Sequence, residues 1–477
     1  MIFDVVIAGG GVIGGMIARE LTKYKLSVCI LERANDVACG ASKANSGIVH
    51  GGYDPEPGTL KAKLNTLGVE KLFATAAMLH APIIRNGSLV CAFSPEEDKT
   101  VLKLYQRGQI NNIPDLEVIS GDRAREIEPN LSEKVTSALW VRNAGIVCPY
   151  ELTIAAIGNA MDNGAQLKLN FTVSGVSREN GLFTVTSAEG ERVQGKYLIN
   201  CAGGYSDKVA ALCGDDSFTI IPRAGEYLLL DKTEGQRVSH TIFQCPTAEG
   251  KGILVSPTVH GNLLTGPTAG KVASADSKEI TQSGVDAVMA LSRKSVPSVE
   301  FRNVITSFTG VRSSEKSGDF IIGFSEKCEN LLNVAAIDSP GLTCCVSIAE
   351  YVVELLKNAG VQLEINPNFD GTREDPHVFR NMTDEEKDAY IKANPEYGKI
   401  VCRCEQVSEG EIRKALRTNP PAQDMDGVKR RTRSGMGRCQ GGFCGPYVMK
   451  LIAEERGIPK EQVTKNGKGS EMVIGKL

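Results

Sequence analysis

The chain has 477 residues, 42% of them hydrophobic and 23% charged, and a formal net charge of −3. That length allows about three domains of roughly 150 residues each, and the balance is that of an ordinary soluble globular protein. The small net charge excludes a global attraction to nucleic acid or anionic lipid, and no apolar run approaches the ~20 residues needed to span a bilayer.

Met1-Ile2-Phe3-Asp4 leads straight into a strand without a charged n-region, so no signal peptide is read and a cytoplasmic location is expected. In that setting the fourteen cysteines are read as thiols or metal ligands rather than disulfides. Ten of them, such as Cys29, Cys91 and Cys201, are scattered before residue 350, mostly in apolar runs, and are read as core filler. The neighbours Cys344-Cys345 are assigned no role.

Asp4-Val5-Val6-Ile7-Ala8 reads as a buried strand, and Ile13, Ile17 and Leu21 mark one face of a helix. Gly9-Gly10-Gly11-Val12-Ile13-Gly14 lies between them. Gly9 permits the tight turn, Gly11 lets the backbone approach a pyrophosphate, and Gly14 allows close packing of helix on sheet. The helix N-terminus then faces the anion. A second strand, Ser27-Val28-Cys29-Ile30-Leu31, ends at Glu32, whose carboxylate can accept hydrogen bonds from a ribose diol. A glycine-rich turn with no ligand is the bland alternative, but the strand–turn–helix–strand–Glu order favours a dinucleotide. The segment from Gly40 to Gly52 is small, polar and turn-forming, which suits close backbone approach to a flat cofactor.

This stretch resembles the FAD-binding signature of the D-amino-acid-oxidase-like flavoproteins. Within them it is similar to the glycerol-3-phosphate dehydrogenase branch through His50-Gly51-Gly52. It is similar to the L-2-hydroxyglutarate dehydrogenase branch through Asn45-Ser46-Gly47 and Pro57-Gly58-Thr59-Leu60-Lys61-Ala62-Lys63. The resemblance extends to about residue 365. Tyr197 to Gly204 with Asp207 resembles a second flavin-contacting strand and turn. Arg223-Ala224-Gly225-Glu226-Tyr227 resembles the entry to a substrate domain, and Gly310-Val311-Arg312 the segment carrying a substrate-anion arginine. Asp338-Ser339-Pro340-Gly341-Leu342-Thr343 resembles a closing turn over the flavin, before a helix at about 345–357.

The resemblance implies FAD contacts at Gly9, Gly11, Gly14, Glu32, Ser42, Asn45, Ser46, Gly47, Ala202, Gly203, Gly341, Leu342 and Thr343. The implied fold is an α/β FAD-binding Rossmann-like domain (1–80, 145–215 and 320–365). Into it is inserted an antiparallel-sheet substrate domain of α+β type (81–144 and 216–319).

The middle of the chain supports an inserted sheet. Phe171-Thr172-Val173 and Phe183-Thr184-Val185 alternate about Asn180-Gly181, a hairpin turn signal. Further strands are expected at 226–230, 253–256 and 262–265. Substrate then lies between this sheet and the flavin.

Oxidising a secondary alcohol needs a base for the hydroxyl proton. Of the five histidines, His50 in the flavin loop and His260 in a predicted turn of the substrate sheet are the candidates; His80, His240 and His377 are read as structural. Arg312 is the candidate forked clamp for a carboxylate or phosphate. Arg223 is a weaker second, and Lys61 and Lys63 are expected to face solvent.

From 366 to 397 the composition shifts to Asn, Pro, Asp, Glu and Lys, read as a linker with one short helix near 383–392. Residues 398–477 form a compact tail with the spacing Cys402-x-Cys404-x34-Cys439-x4-Cys444. Ser408 and Glu411 form a capping pair for a helix through Ile412 and Leu416. Four thiolates can hold an iron–sulfur cluster or structural zinc. The tail as a whole, with Arg438-Cys439-Gln440-Gly441-Gly442-Phe443-Cys444, resembles the bacterioferritin-associated-ferredoxin-type [2Fe–2S] module, and all four ligand positions match. That implies a small, mostly helical [2Fe–2S] domain. Lys429, Arg430, Arg431, Arg433 and Arg438 form a basic run beside it, expected to tune the cluster or steer an acidic partner.

The expected activity is an FAD-dependent dehydrogenase acting on a small anionic 2-hydroxy compound. Glycerol 3-phosphate is first, L-2-hydroxyglutarate second, and an amine or imino acid third. By resemblance the electron acceptor is another flavoprotein or a membrane-linked subunit. No nucleic-acid partner and no direct membrane insertion are expected. The alternative of another class is a non-catalytic electron-transfer or assembly subunit with a zinc-filled tail.

Overall fold

The computed structural model describes residues 1–246, 252–473 and 475. The strand Ile2–Ala8 lies at the centre of a sheet of eight strands, parallel to Val28–Leu31 on one side and to Arg192–Asn200 on the other. Val28–Leu31 is buried throughout, which is why it reads as a continuous apolar run rather than an alternating one. The long strand Arg192–Asn200 serves two partners on its far side. Its first half pairs antiparallel with Leu182–Ser187, and its second half runs parallel to Leu331–Ala335. The hairpin Val173–Glu179 to Leu182–Ser187, expected in the inserted sheet, belongs to this first sheet instead, and it turns at Asn180 and Gly181, both with positive φ (51° and 77°), as a two-residue turn matched to strand twist requires.

The helices Val12–Leu21, Pro149–Asp162 and Gly341–Asn358 share one apolar core with the central strands, built on residues such as Ile7, Ile17, Leu152 and Leu356. Leu60–Met78 packs on Gly341–Asn358. Cys344 and Cys345 are fully buried in this core.

Among the described residues a second sheet has nine strands, drawn from two separated stretches of chain. Its long ribbon pairs Ile221–Leu230 with Val304–Ser314, from Ile221 opposite Ser314 to Leu230 opposite Val304. Leu254–Pro257 and Leu263–Gly266 follow, one residue later than the sequence places them. The sheet is antiparallel except where Ser88–Ala92 runs parallel to Thr241–Gln244. Those two strands come from distant segments, so no hairpin forces them antiparallel. The substrate region also carries more helix than its sequence suggests, with Pro95–Ile110, Gly121–Ile127 and Gln282–Ser295.

The segment expected as a linker is tied down. The Asn159 amide donates to the carbonyls of Asp370 and Thr372, and Arg373 pairs with Asp162 at 3.0 Å. Its helix Asp384–Ala393 starts with a full capping box from Thr383 and Glu386. The tail is a two-strand ribbon, Ile400–Cys402 with Val407–Ser408, and three helices, Glu409–Arg417, Met425–Thr432 and Gly445–Arg456. Its core includes Val407, Ile412, Val428, Leu451 and Ile452. Among the described residues no helix is long and apolar enough to cross a membrane.

Candidate functional site

A cleft of about 1450 Å³ opens above the central strands of the first sheet. Its floor is the glycine turn. Gly9 has φ 123°, and a Cβ there would run into the carbonyl of Cys201; a Cβ on Gly14 would run into the carbonyl of Gly9. Strand, turn and helix therefore touch backbone to backbone, leaving the Gly10 and Gly11 side of the turn to the cleft. Ser42 Oγ accepts from the N–H of Val12 at 2.9 Å, binding the flavin-loop candidate to the helix start.

Glu32 lines the cleft and accepts from the N–H of Gly10 and of Ala34, each at 2.8 Å. Burial pushes its carboxyl up, against those two bonds. Each oxygen keeps a lone pair for a ribose hydroxyl. Asn45 stiffens its own loop, accepting from the N–H of Gly47 and donating to the carbonyl of Ala41. Asn45, Ser46, Ala202, Gly203, Gly341 and Leu342 line the cleft; Gly14, Gly47 and Thr343 sit behind it. Glycine turn, carboxylate and small-residue loop suit a dinucleotide.

At the other end the two-strand ribbon presents one face. Arg223 stands opposite Arg312, Gly225 opposite Gly310, and Tyr227 opposite Phe308. Alternation puts all six on that face. The Tyr227 and Phe308 rings stack at 4.8 Å and 13°. Gly310 is pressed on the carbonyl of Ala44, so the ribbon lies directly against the flavin loop. Tyr227 is hydrogen-bonded to Ser46 and Arg312; burial pushes its phenol up and Arg312 pulls against that.

Lys61 was expected in solvent, but its side chain is only 13% exposed, lines the cleft and pairs with Asp338 at 2.6 Å. The reason is that the helix Leu60–Met78 begins at the cleft, its first N–H groups capped by Asp319. His50 also lines the cleft, stacked on Phe243 at 5.9 Å, with Nε2 3.2 Å from Ser339 Oγ. Its backbone is held from both sides, N–H to Thr343 Oγ1 and carbonyl from Asn65 Nδ2, each at 2.8 Å. Thr343 thus positions His50 from behind. Tyr227 had no role of its own in the sequence; the signal for it was its alternation with Arg223 and Gly225.

His260 is a correction. It does not line the cleft. Its Nε2 lies 2.7 Å from Glu151 Oε1, and His377 Nε2 lies 2.7 Å from Glu151 Oε2. Glu151 is buried in the first turn of a helix and needs partners for both oxygens. Burial pushes its carboxyl up, but the two imidazoles hold it far below the usual carboxylate range. Burial pushes His260 down. The turn carrying His260 therefore points at the helix and the former linker, not at the flavin end. His240 pairs with Glu128 at 2.7 Å, as a structural histidine.

The four tail cysteines converge. Cys404 and Cys439 have sulfurs 3.6 Å apart, and Cys402 is hydrogen-bonded to Cys444. That bond pulls the Cys402 thiol down against its burial and pushes Cys444 up, with the N–H groups of Gly435 and Glu405 also favouring the Cys402 thiolate. The N–H groups of Phe443, Gly441 and Gly442 aim at Cys439. Four sulfurs ringed by backbone donors suit an iron–sulfur cluster. Cys402 and Cys444 are buried and Cys404 is exposed, so one edge faces outward beside Phe443, 89% exposed.

The basic run is largely turned inward, which corrects its reading as a steering patch. Arg430 and Arg431 both bind Asp36, which has no exposed surface. Arg433 binds Glu405 at 2.8 Å and reaches Tyr150 Oη and Asn262 Oδ1. Of the five cations only Arg438 is exposed.

The model of the FAD dependent oxidoreductase family (DAO) matches residues 4–355, and that of the BFD-like [2Fe-2S] binding domain matches residues 400–454. A glycerol 3-phosphate dehydrogenase of Caloramator mitchellensis is 42% identical over 99% of this chain and 98% of its own length. The structure of dithionite-reduced L-alpha-glycerophosphate oxidase from Mycoplasma pneumoniae with FAD bound has a TM-score of 0.75 and 31% identity. It covers 78% of this chain and 98% of its own. A mitochondrial L-2-hydroxyglutarate dehydrogenase of Caenorhabditis elegans is 31% identical over 56% of this chain and 63% of its own length.

Proposed function

The chain belongs to the FAD dependent oxidoreductase family and ends in a BFD-like [2Fe-2S] binding domain, and from that premise we propose that it oxidises glycerol 3-phosphate to dihydroxyacetone phosphate. The observation that carries this is the gathering of Arg223, Arg312, Lys61 and His50 at one end of the dinucleotide cleft. FAD, when bound, supplies a two-electron hydride acceptor, and the [2Fe–2S] cluster supplies a one-electron carrier.

The protein's own residues do the rest. Arg312 and Arg223 clamp the phosphate with planar forks, and Lys61, steadied by Asp338, adds a point charge. Tyr227, buttressed by Phe308 and Ser46, keeps Arg312 aimed. His50 takes the hydroxyl proton of the substrate as its carbon gives up hydride, and Ser339 Oγ holds the ring for that transfer. Phe243 keeps water from the imidazole face. We place electron exit at the exposed edge of the tail, toward a partner that is another flavoprotein or a membrane-linked subunit; exposed Cys404 and Phe443 support this.

L-2-hydroxyglutarate is the second reading, favoured by the 31% relative of that name, because the same arginines bind a carboxylate. The test is anaerobic bleaching of the bound flavin by each compound. Bleaching by glycerol 3-phosphate alone supports the proposal; bleaching by L-2-hydroxyglutarate alone replaces it with the second reading.

A further inference from the structure

Around Arg430 the cations outnumber the carboxylates. Arg431 alone satisfies both oxygens of Asp36, with Nη1 on Oδ2 at 2.7 Å and Nη2 on Oδ1 at 2.8 Å. Arg430 Nη2 is a further donor to Oδ2 at 2.6 Å. Two guanidinium groups on one buried carboxylate leave a net positive charge in a place where burial is costly. Arg430 is 5% exposed, and its Nε has no hydrogen-bond partner among the described residues.

The surroundings sharpen the imbalance. Lys43 and Lys429 are close enough to feel Arg430, and burial pushes both ammonium groups down. Asp424, bonded to the neutral donors Asn35 Nδ2 and Gly427 N–H, each at 2.6 Å, offsets one of these cations, and Asp426 is paired with Lys465 at 3.0 Å. Arg430 and Asp424 belong to the tail, yet both line the cleft that Gly10, Gly11 and Glu32 also line. Arg431 does not line it.

We propose that the iron–sulfur module completes the dinucleotide site, the Arg430 guanidinium pairing with a phosphate of the bound FAD. The phosphate supplies the missing negative charge. FAD retention then depends on a domain outside the nucleotide-binding fold. The inference rests on FAD as the cofactor of the family and goes beyond it, because the family model ends at residue 355.

The test is fluorescence titration of deflavinated full-length protein with FAD, comparing the parent with Arg430→Met, Arg430→Lys and Arg431→Met. Iron content is checked in each to show that the tail stays loaded. Loss of a charge-assisted bond to phosphate should weaken FAD binding at least about tenfold in Arg430→Met. Arg430→Lys should recover part of that loss, and Arg431→Met should stay within about threefold of the parent. A dissociation constant for Arg430→Met within twofold of the parent's overturns the proposal. So do equal losses in Arg430→Met and Arg431→Met, which would make Arg430 a docking group only. A parent protein that binds no FAD removes the cofactor assignment itself, and the proposal with it.

Discussion

Gly225→Ala probes the substrate clamp without replacing a charged group. The new methyl would stand 2.8 Å from Arg312 Nη2, 2.7 Å from Pro267 Cβ and 3.0 Å from the carbonyl of Thr268. Ordinary contact is roughly 3.5 Å, so the guanidinium has to retreat by roughly 0.7 Å. Thr268 and Pro267 cannot absorb the strain freely, because Glu226 N–H donates to Thr268 Oγ1 at 3.0 Å and Thr268 N–H to the carbonyl of Glu226 at 3.2 Å. Overpacking of this kind costs about 1–3 kcal/mol in stability. A displacement near 1 Å in a positioning group costs up to about 100-fold, so kcat/KM for glycerol 3-phosphate should fall about 10- to 100-fold, chiefly through KM. Steady-state kinetics with an artificial acceptor, beside a urea unfolding curve, reads both. A variant less stable by the expected amount but with unchanged KM would refute the placement of Arg312 on the substrate anion.

His50→Gln should lower kcat by about 10²- to 10⁴-fold with little change in KM, since it removes a proton acceptor and not a binding charge; the same kinetics check it. Arg312→Met should cost about 10- to 100-fold in kcat/KM, read as a rise in KM. Asp36→Asn leaves two buried guanidinium groups without their carboxylate and should destabilise the docked tail by about 3–5 kcal/mol, measured by denaturant titration. Burial pushes Asp36 up, but Arg431 and Arg430 outweigh it and hold the carboxyl below its ordinary value. Its contribution is therefore complete above about pH 4 and is lost as pH falls through the lower folded value, so acid unfolding of the parent should begin below that point and be flattened in Asp36→Asn. Cys439→Ser should lose iron while keeping flavin, by metal analysis and absorption.

Local chemistry made much of this legible in the sequence. The turn at Gly9–Gly14, the Asn180-Gly181 hairpin and the caps at Thr383 and Ser408 each rest on a few adjacent residues, and each forms as its residue types require. The four cysteines were visible because thiolate spacing survives in one dimension. What was hidden depends on packing between distant segments. Lys61 reads as a surface lysine until Asp338 comes within reach of it. His260 sits in a plausible substrate turn, and only the burial of Glu151 shows where that turn points. The basic run at 429–433 looks like a solvated face because its anions, Asp36 and Glu405, stand far away in sequence or on another element. The parallel pairing of Ser88–Ala92 with Thr241–Gln244 leaves no local trace at all.

On the proposed mechanism, electrons taken from glycerol 3-phosphate at the flavin reach the tail. Anaerobic titration of the fully loaded protein with glycerol 3-phosphate, followed by flavin absorption and by electron paramagnetic resonance on the same samples, tests it directly. The flavin band should bleach and the signal of a reduced binuclear iron cluster should grow with it. Bleaching with no iron signal, in protein whose cluster dithionite does reduce, would contradict it.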